Sequence, residues 1–303
     1  MKPWTGVFPA STTQFESDER LNIPATQKVV EQLIHDGVHG IICMGTVGEN
    51  CSLSAAEKRS VMSAVKEVVA GRVPVIVGVA EYTTALAAEF ARDAEKVGVD
   101  GLMVLPGMVY KSQPRETLQH FKSVAGATGL PIMIYNNPVS YTVDVTVEMF
   151  KELTSVKNIV AIKESSEDTR RLTDLRNAYG NRFTLFAGVD DIVLESLMLG
   201  ATGWVSGLTS VFPRESVALY NLAIAGRYRE ALEIYRWFMP LLHLDTIPTL
   251  VQCIKLAEQV MGRGSEMVRA PRLRLEGAER ADVERLVQHA AANRPALPAR
   301  AAA

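Results

Sequence analysis

Residues 28–45, KVVEQLIHDGVHGIICMG, contain one repeating unit of the fold. The apolar residues of KVVEQLIH recur at helical spacing, and Gly37 stands where that helix stops. GIICM then forms a short apolar run, typical of a strand that is buried on both faces. A turn that begins at Gly45 follows the strand. This order predicts a parallel sheet covered by helices.

The same unit recurs along most of the 303-residue chain. Ser54, followed by Glu57, predicts a capping box at the start of one of the helices. Repeated units of this kind favour a closed α/β fold, the (β/α)8 (TIM) barrel, over an open doubly wound sheet. The predicted strands are Gly6–Pro9, Gly40–Met44, Val73–Gly78, Gly101–Leu105, Pro131–Tyr135, Ile159–Lys163, Thr184–Ala187 and Gly203–Ser206.

The chain continues with helical periodicity after Gly226. YREALEIYRWFMPLLHL, TLVQCIKLAEQVM and ADVERLVQHAAA predict three further helices. We therefore predict that residues 1–226 form the barrel and that residues 227–293 form a C-terminal helical appendage packed on it. The Pro/Ala-rich residues 294–303 are predicted to be a frayed tail.

Composition excludes several classes of partner. The chain has 32 Lys and Arg against 34 Asp and Glu, a net charge of -2, and no basic block, so nucleic acid is not expected to bind. No apolar run reaches the ~18 residues of a membrane span, and the first residues show no targeting pattern. Cys43, Cys51 and Cys253 show no metal or redox spacing. We predict a cytoplasmic protein.

In a barrel, the reactive residues lie at the carboxyl ends of the strands. Lys163 ends the apolar run NIVAI, where desolvation would lower the pKa of its amine and make it a Schiff-base nucleophile. The alternative is a lysine that reaches solvent or pairs with Glu164. Tyr135 ends the preceding strand and could move protons together with the hydroxyl of Thr46. Alternatively, Tyr135 is a packing residue.

Other strand ends carry weaker signals. The Gly45–Glu49 turn could bind a carboxylate through backbone N–H groups, but it lacks the pattern of a nucleotide phosphate loop. Asp190 and Asp191 follow the seventh strand, and we interpret them as caps of the next helix rather than as cation ligands. No histidines have metal-ligand spacing, so no metal site is predicted.

Three motifs in order resemble one known family. Gly45-Thr46-x-Gly48-Glu49, Tyr135-Asn136-x-Pro138 and Ile162-Lys163-Glu164-Ser165 are similar to motifs of the dihydrodipicolinate synthase and N-acetylneuraminate lyase family of Schiff-base class I aldolase barrels. Gly188-Val189-Asp190-Asp191 and the C-terminal helices also agree. The resemblance covers nearly the whole chain.

The resemblance implies a chemistry for the central residues. Lys163 would form an imine with a 2-oxo acid such as pyruvate. Tyr135 would move protons during imine and carbon–carbon bond chemistry, and Thr46 would join that relay. The family also implies a homotetramer built as a dimer of dimers, with no metal and no organic cofactor.

The resemblance also implies how the substrate is held. The backbone from Thr46 through Val47 and Gly48 would bind the carboxylate, and Val205 would lie beside pyruvate. Ser140 stands where true dihydrodipicolinate synthases have an arginine for the second substrate's carboxylate. A serine cannot make that bidentate contact.

Further positions depart from the synthase pattern. Val47 replaces the second threonine of the Gly-rich turn, which shortens the hydroxyl relay. Met108 stands at the position of the interface tyrosine, and Tyr110, two residues on, is a possible replacement that could bind near the substrate. The histidine of lysine feedback falls at Lys58. These departures argue against the lysine-pathway synthase.

The sequence therefore predicts a Schiff-base lyase that acts on pyruvate or a related 2-oxo acid by aldol cleavage, aldol condensation or dehydration. One alternative is 4-hydroxy-tetrahydrodipicolinate synthase itself. Another is a deaminase or dehydratase of an oxo acid derived from hydroxyproline or a sugar acid. A more distant alternative is a non-catalytic barrel that binds a 2-oxo acid.

Overall fold

Parallel strands form the centre of the protein, which a computed structural model describes over residues 4–298. From β2 to β8 each strand pairs in parallel with the next strand in sequence, and β8 pairs with β1. The eight strands are β1 Gly6–Pro9, β2 Ile41–Cys43, β3 Val75–Val79, β4 Gly101–Val104, β5 Ile132–Asn136, β6 Ile159–Glu164, β7 Thr184–Ala187 and β8 Gly203–Ser206. The prediction of eight strands is confirmed.

The barrel closes between β1 and β2. Ala10, just after β1, forms a parallel bridge with Ile42, and the backbone N–H of Ser11 donates to the carbonyl of Ile42 at 2.8 Å. At the other end of the seam, the N–H of His39 donates to the carbonyl of Val7 at 2.9 Å. The predicted closed barrel is therefore confirmed.

Helices alternate with the strands and then continue alone. Ser54 and Glu57 form the predicted capping box at the start of the second helix. The helices are α1 Ile23–His35, α2 Ala55–Val69, α3 Thr84–Val97, α4 Pro114–Gly126, α5 Pro138–Tyr141, α6 Phe150–Leu153, α7 Arg170–Tyr179, α8 Val193–Met198, α9 Pro213–Ile224, α10 Tyr228–Leu242, α11 Leu250–Val260 and α12 Gly277–Ala292. No helix within residues 4–298 is both long and apolar enough to cross a membrane.

Two short helices, α5 and α6, replace the single long helix expected between β5 and β6. Thr142 ends α5 in a left-handed conformation, with φ of 63°. A non-glycine residue seldom adopts this conformation, so the chain leaves the helix there. The consequence is that Ser140 and Tyr141 stay at the mouth of the barrel.

Aromatic rings fill one end of the barrel interior because two glycines leave room for them. Phe8 and Phe186 pack edge to face with ring centroids 5.4 Å apart. A Cβ atom on Gly40 would lie 2.1 Å from the Phe8 ring, and one on Gly203 would lie 2.2 Å from the Phe186 ring. Gly40, just before β2, and Gly203, the first residue of β8, must therefore be glycine.

The helices α10, α11 and α12 form the predicted appendage. A short 3-10 turn, His243–Thr246, connects α10 to the segment that leads into α11. Residues 245–248 of this connection, together with Leu250 at the start of α11, reach the carboxyl end of the barrel, where they line its cavity. After α12, residues 294–298 have no regular secondary structure, and Leu297 packs partly against the core. The rest of the predicted tail, 299–303, lies outside the described residues.

Candidate active site

A cavity of about 410 Å³ opens at the carboxyl ends of the strands. Its wall combines the ends of β5, β6 and β8, the turn after β2, the α5 segment and the connection between α10 and α11. Most of the predicted site residues line it, namely Thr46, Val47, Tyr135, Ser140, Lys163 and Val205. Strand ends that lie far apart in sequence are thus brought together, as the barrel topology requires.

Lys163 lies beside Tyr135 because β5 and β6 pair with these two residues in register. The lysine Nζ lies 3.8 Å from the centroid of the Tyr135 ring, and the side chain is buried. Burial lowers the pKa of Lys163, although nearby Asp245 acts in the opposite direction. Within residues 4–298, no carboxylate oxygen is within ion-pair distance of Nζ.

Glu164, the alternative partner of Lys163, points away from the lysine because neighbouring side chains of a strand face opposite sides. Its carboxylate accepts hydrogen bonds from the backbone N–H of Ser166 at 2.8 Å and from Asn136 Nδ2 at 3.2 Å. Arg171 Nε lies 4.0 Å from it. The pairing of Lys163 with Glu164 is therefore not formed.

Three hydroxyl groups lie next to the lysine. Tyr135 OH accepts a hydrogen bond from Asn137 Nδ2 at 3.1 Å, and burial raises the pKa of Tyr135 to about 12. Thr46 Oγ1 forms its hydrogen bond with Tyr141 OH, and the Tyr141 and Tyr135 rings pack edge to face at 5.9 Å. Burial also raises the pKa of Tyr141. Both phenols therefore keep their protons at neutral pH.

The turn after β2 presents backbone donors to the cavity. The N–H groups of Thr46 and Val47 have no hydrogen-bond acceptor within residues 4–298. Gly48 lies behind the cavity wall, where a Cβ would be 2.7 Å from Met44 N, and its carbonyl accepts from Thr13 Oγ1 at 2.7 Å. Free N–H groups in a tight turn can bind an anion.

Ser165 is a site residue that the sequence analysis did not single out. Its buried hydroxyl has no hydrogen-bond partner in the part of the chain that the structure describes, and it lines the cavity. A Cβ on Gly188 would lie 2.1 Å from this oxygen. Ser165 is two residues beyond Lys163, so the period of a strand predicts that both side chains face the same side. This two-residue spacing is the feature of the sequence from which Ser165 could have been predicted as a site residue.

The sequence profile of the dihydrodipicolinate synthetase family matches residues 3–290. The chain belongs to this family. Its members are class I aldolase-type lyases that work through a lysine Schiff base. This chain is therefore an enzyme of that class. The resemblance drawn from the three motifs is confirmed.

Relatives of known name support the same assignment. The chain is 30% identical to 4-hydroxy-tetrahydrodipicolinate synthase 1 of Halalkalibacterium halodurans, over 92% of this chain and 94% of that protein. It is 33% identical to the synthase of Methanosarcina barkeri, over 88% of this chain and 91% of that protein. These names identify the chemistry of the family rather than the substrate of this member.

Solved structures of family members share the fold. A dihydrodipicolinate synthetase from Pseudomonas aeruginosa superposes with a TM-score of 0.91 at 31% identity, over 95% of this chain and all of that one. A prophage protein of the family from E. coli K12, solved in complex with pyruvate, has a TM-score of 0.89 at 27% identity, over 95% of this chain and 99% of that one.

Tyr110 does not line the cavity of the single chain. Its side chain is exposed, and its hydroxyl donates to the Glu116 carboxylate at 3.1 Å, which raises the pKa of Tyr110. Its proposed place at a subunit interface of this family member stays a prediction. Gly48 and Tyr110 are thus the two predicted binding residues that the structure keeps outside the cavity wall.

The prediction that Asp191 caps the next helix is wrong, because its carboxylate contacts His243 instead, and the same prediction for Asp190 is also wrong. The buried carboxylate of Asp190 accepts hydrogen bonds from Trp204 Nε1 at 2.9 Å, from Ser206 Oγ at 3.0 Å and from the backbone N–H of Leu208 at 3.0 Å. It therefore joins the end of β7 to β8. Among the described residues, no group of three or more His, Cys, Asp or Glu side chains could hold a metal ion.

Asp245 is a further cavity residue that the sequence analysis missed. It lies in the 3-10 turn after α10, and the backbone N–H of Asp190 donates to its Oδ2 at 3.3 Å. Burial raises the pKa of Asp245 to about 6, while Lys163 lowers it. No local pattern in the appendage indicates that this residue reaches the barrel mouth.

Proposed function

We propose that this family member forms an imine between Lys163 and the carbonyl of pyruvate or a related 2-oxo acid. The observation that carries the proposal is the Nζ of Lys163, which is buried, has no ion-pair partner among the described residues and lies 3.8 Å from the Tyr135 ring centroid at the cavity wall. A desolvated amine is more often neutral, and the neutral amine is the nucleophile.

The first step follows from the neighbouring groups. The neutral Lys163 amine attacks C2 of the 2-oxo acid, and one amine proton moves to the C2 oxygen. Tyr135 gives that oxygen its second proton, so it leaves as water and a cationic iminium forms. A phenol whose pKa is raised to about 12 holds this proton until the step requires it. The hydrogen-bonded pair of Thr46 and Tyr141 then lies close enough to extend the relay.

The 2-oxo acid is held by the turn after β2. The unpartnered N–H groups of Thr46 and Val47 bind its carboxylate, and Gly48 allows this turn to pack closely on Met44. Val205 supplies the apolar wall beside the methyl group of pyruvate. The pyruvate complex of the E. coli relative supports this choice of substrate.

The charged side chains that line the cavity indicate which second substrate or leaving group it can accept. Lys163 is the one cation among the lining side chains of residues 4–298, and the carboxylates of Asp245 and Glu167 also line the cavity. Ser140 offers a hydroxyl in place of the arginine that would bind a second carboxylate. We infer a partner that carries hydroxyl or amino groups, as in an oxo acid derived from a sugar acid or hydroxyproline.

The chain is therefore proposed to cleave, condense, dehydrate or deaminate such an oxo acid rather than to serve as the lysine-pathway synthase. The names of its relatives favour 4-hydroxy-tetrahydrodipicolinate synthase as the second candidate. Retention of the complete Lys163, Tyr135 and Thr46 group argues against a non-catalytic binding barrel. We further propose a cytoplasmic homotetramer, a dimer of dimers with Tyr110 at an interface, that needs no metal or organic cofactor.

Borohydride trapping tests the proposed imine. The enzyme is incubated with a panel of 2-oxo acids and borohydride, and the adduct is located by intact-mass and peptide-mass spectrometry. We expect a reduced adduct on Lys163 with pyruvate, and the ranking of the other acids narrows the substrate. The absence of any adduct, or an adduct confined to another lysine, would overturn the mechanism.

A coupled assay separates the two candidate functions. With pyruvate and aspartate semialdehyde, we expect a low kcat/KM because Ser140 cannot form the bidentate contact that an arginine makes with a carboxylate. Ser140→Arg is the matched variant and is expected to raise this activity while pyruvate trapping on Lys163 is unchanged. A synthase-level kcat/KM in the unmodified enzyme would establish the second candidate instead.

A further inference from the structure

The C-terminal appendage contributes a carboxylate to the cavity. Asp245 is half-buried, lines the cavity with Lys163, and lies over the ends of β7 and β8. Its Oδ2 accepts the N–H of Asp190, and its Oδ1 would be 3.3 Å from a Cβ on Gly207. Tyr135 is on β5, so the carboxylate and the phenol approach the lysine of β6 from opposite sides of that strand.

The charged groups around Asp245 come from several elements. Lys163 on β6 lowers the pKa of Asp245, whereas burial and Asp191 raise it, which gives a value of about 6. Asp245 in turn raises the pKa of Asp190, of Tyr135 and of Lys163. His243 Nδ1 lies 2.9 Å from Asp191 Oδ2. The α11 helix contributes the apolar Leu250 to this wall.

We propose that Asp245 is the catalytic base that removes a proton from C3 of the 2-oxo acid bound to Lys163, and the acid that later returns it. This inference rests on the proposed imine at Lys163. In the step, the C3–H bond breaks and its proton forms a bond with the Asp245 carboxylate. The electron pair forms a C2=C3 double bond, and the iminium nitrogen becomes a neutral enamine nitrogen. The reverse step restores every atom and charge.

The other groups at the cavity are less suited to this task, and Glu167, the other carboxylate that lines it, is exposed to solvent. The relay through Thr46 and Tyr141 returns to Tyr135 the proton that it gives in the first step, and burial raises the pKa of both phenols, so both are protonated when C3 reacts. Thr46 is already hydrogen-bonded to Tyr141, and a serine hydroxyl such as that of Ser165 is a weak base without a partner. A carboxylate that titrates near neutral pH can both accept and return a proton.

Deuterium exchange into pyruvate tests the proposal without knowledge of the second substrate. The loss of the pyruvate methyl signal in D2O is followed by proton NMR, with pyruvate alone as the blank. In Asp245→Asn we expect the enzyme-dependent exchange to fall by about 10²- to 10⁴-fold. Borohydride is expected to trap pyruvate on Lys163 in the same variant. Asp245→Glu is expected to recover part of the exchange.

The pH profile and a control variant make the test specific. In the unmodified enzyme, exchange is expected to rise as pH increases through about 6, because the base must be deprotonated, and this limb should disappear in Asp245→Asn. Asp191→Asn removes a neighbouring charge outside the cavity wall. It should keep full exchange at pH 8 and move the limb to lower pH, because Asp191 raises the pKa of Asp245.

The possible outcomes separate this proposal from the proposed function. If the unmodified enzyme forms no adduct on Lys163, the imine itself fails. If Asp245→Asn forms the adduct and exchanges the methyl protons at the unmodified rate, only the role of Asp245 fails. Loss of the adduct in a folded Asp245→Asn would also overturn this role, since the carboxylate would then act before C3. Thermal melting checks folding, and Asp245→Ser provides a smaller replacement if the asparagine variant does not fold.

Discussion

Two lysines buried in the same protein have opposite surroundings. Lys255 on α11 is fully buried, and its Nζ donates to Glu49 Oε1 and to the carbonyl of Thr13, both at 2.8 Å. Lys163 on β6 is also buried but ends at the cavity without an ion pair among the described residues. Burial lowers the pKa of both, whereas Glu49 raises that of Lys255. The comparison shows that an ion pair makes a buried lysine structural, and its absence leaves an amine available for chemistry.

Lys255 supports the turn after β2, which lines the same cavity as Lys163. Glu49 is the last residue of the Gly45–Glu49 turn, and its second carboxylate oxygen accepts the backbone N–H of Arg269 at 3.0 Å. The Lys255–Glu49 pair therefore holds that turn against α11. The other carboxylate oxygen of Glu49 holds the segment after α11 through the backbone of Arg269. We propose that, of these two buried lysines, only Lys163 is reactive.

The largest effect is expected when the reactive lysine is removed. Lys163→Ala should reduce kcat on the order of 10⁶-fold, or to an undetectable level, because the covalent nucleophile is lost. Its free energy of unfolding should stay within about 1 kcal/mol of the unmodified value, because no buried ion pair is broken. Steady-state kinetics and denaturant unfolding measure the two quantities. Retained turnover would remove the distinction between the two lysines.

The reciprocal change tests the structural lysine. Lys255→Met should lower the free energy of unfolding by about 3 kcal/mol, because Glu49 loses its ammonium partner inside the protein. Denaturant unfolding measures this loss. The double variant with Glu49→Gln is the control and should recover part of it. Borohydride should still trap pyruvate on Lys163 in the folded fraction, and loss of trapping in that fraction would show that Lys255 takes part in the chemistry.

A carboxyl group near Lys255 gives a pH-dependent effect of intermediate size. Glu258 is fully buried, its Oε2 accepts from Thr12 Oγ1 at 2.8 Å, and burial raises its pKa to about 7. A carboxyl whose pKa is higher in the folded state favours folding at low pH and loses that contribution as pH rises from about 4.5 to 7. In the unmodified protein this effect should lower the free energy of unfolding by about 2 kcal/mol between pH 5 and pH 8. Glu258→Gln should abolish that decrease, which denaturant unfolding at the two pH values measures. An unchanged pH dependence would contradict this account.

Local sequence patterns were sufficient for the barrel and for the residues on its strands. Short apolar runs alternating with helical stretches predicted every strand, since a strand buried on both faces leaves a strong local signal. Lys163 and Tyr135 could be found because strand ends of a parallel barrel meet at one mouth. The replacement of one long helix by α5 and α6 was not predicted, because it depends on the left-handed conformation of Thr142, which no residue type there indicates.

Contacts between distant segments were beyond the sequence analysis. Asp245 lies in an appendage whose periodicity predicts helices but not which turn of the chain reaches the cavity. Asp190 was assigned to a cap from its local position, yet its three donors come from β8 and the residues after it. The pairing of Lys255 with Glu49 likewise joins residues on separate elements. Such contacts are set by tertiary packing, which local patterns do not contain.

A third buried lysine should give the smallest effect and sharpen the comparison further. Lys58 on α2 is buried and forms an ion pair with Glu81, at the position where the resemblance places a feedback histidine. Because its own ammonium already neutralises Glu81, free L-lysine should neither lower the trapping rate of pyruvate nor raise the melting temperature, which a ligand bound to the folded state would raise. Lys58→His is the matched variant, since it removes the ammonium while keeping a titratable group. Inhibition of the unmodified enzyme by free lysine would show that the ion pair of Lys58 with Glu81 does not prevent such inhibition.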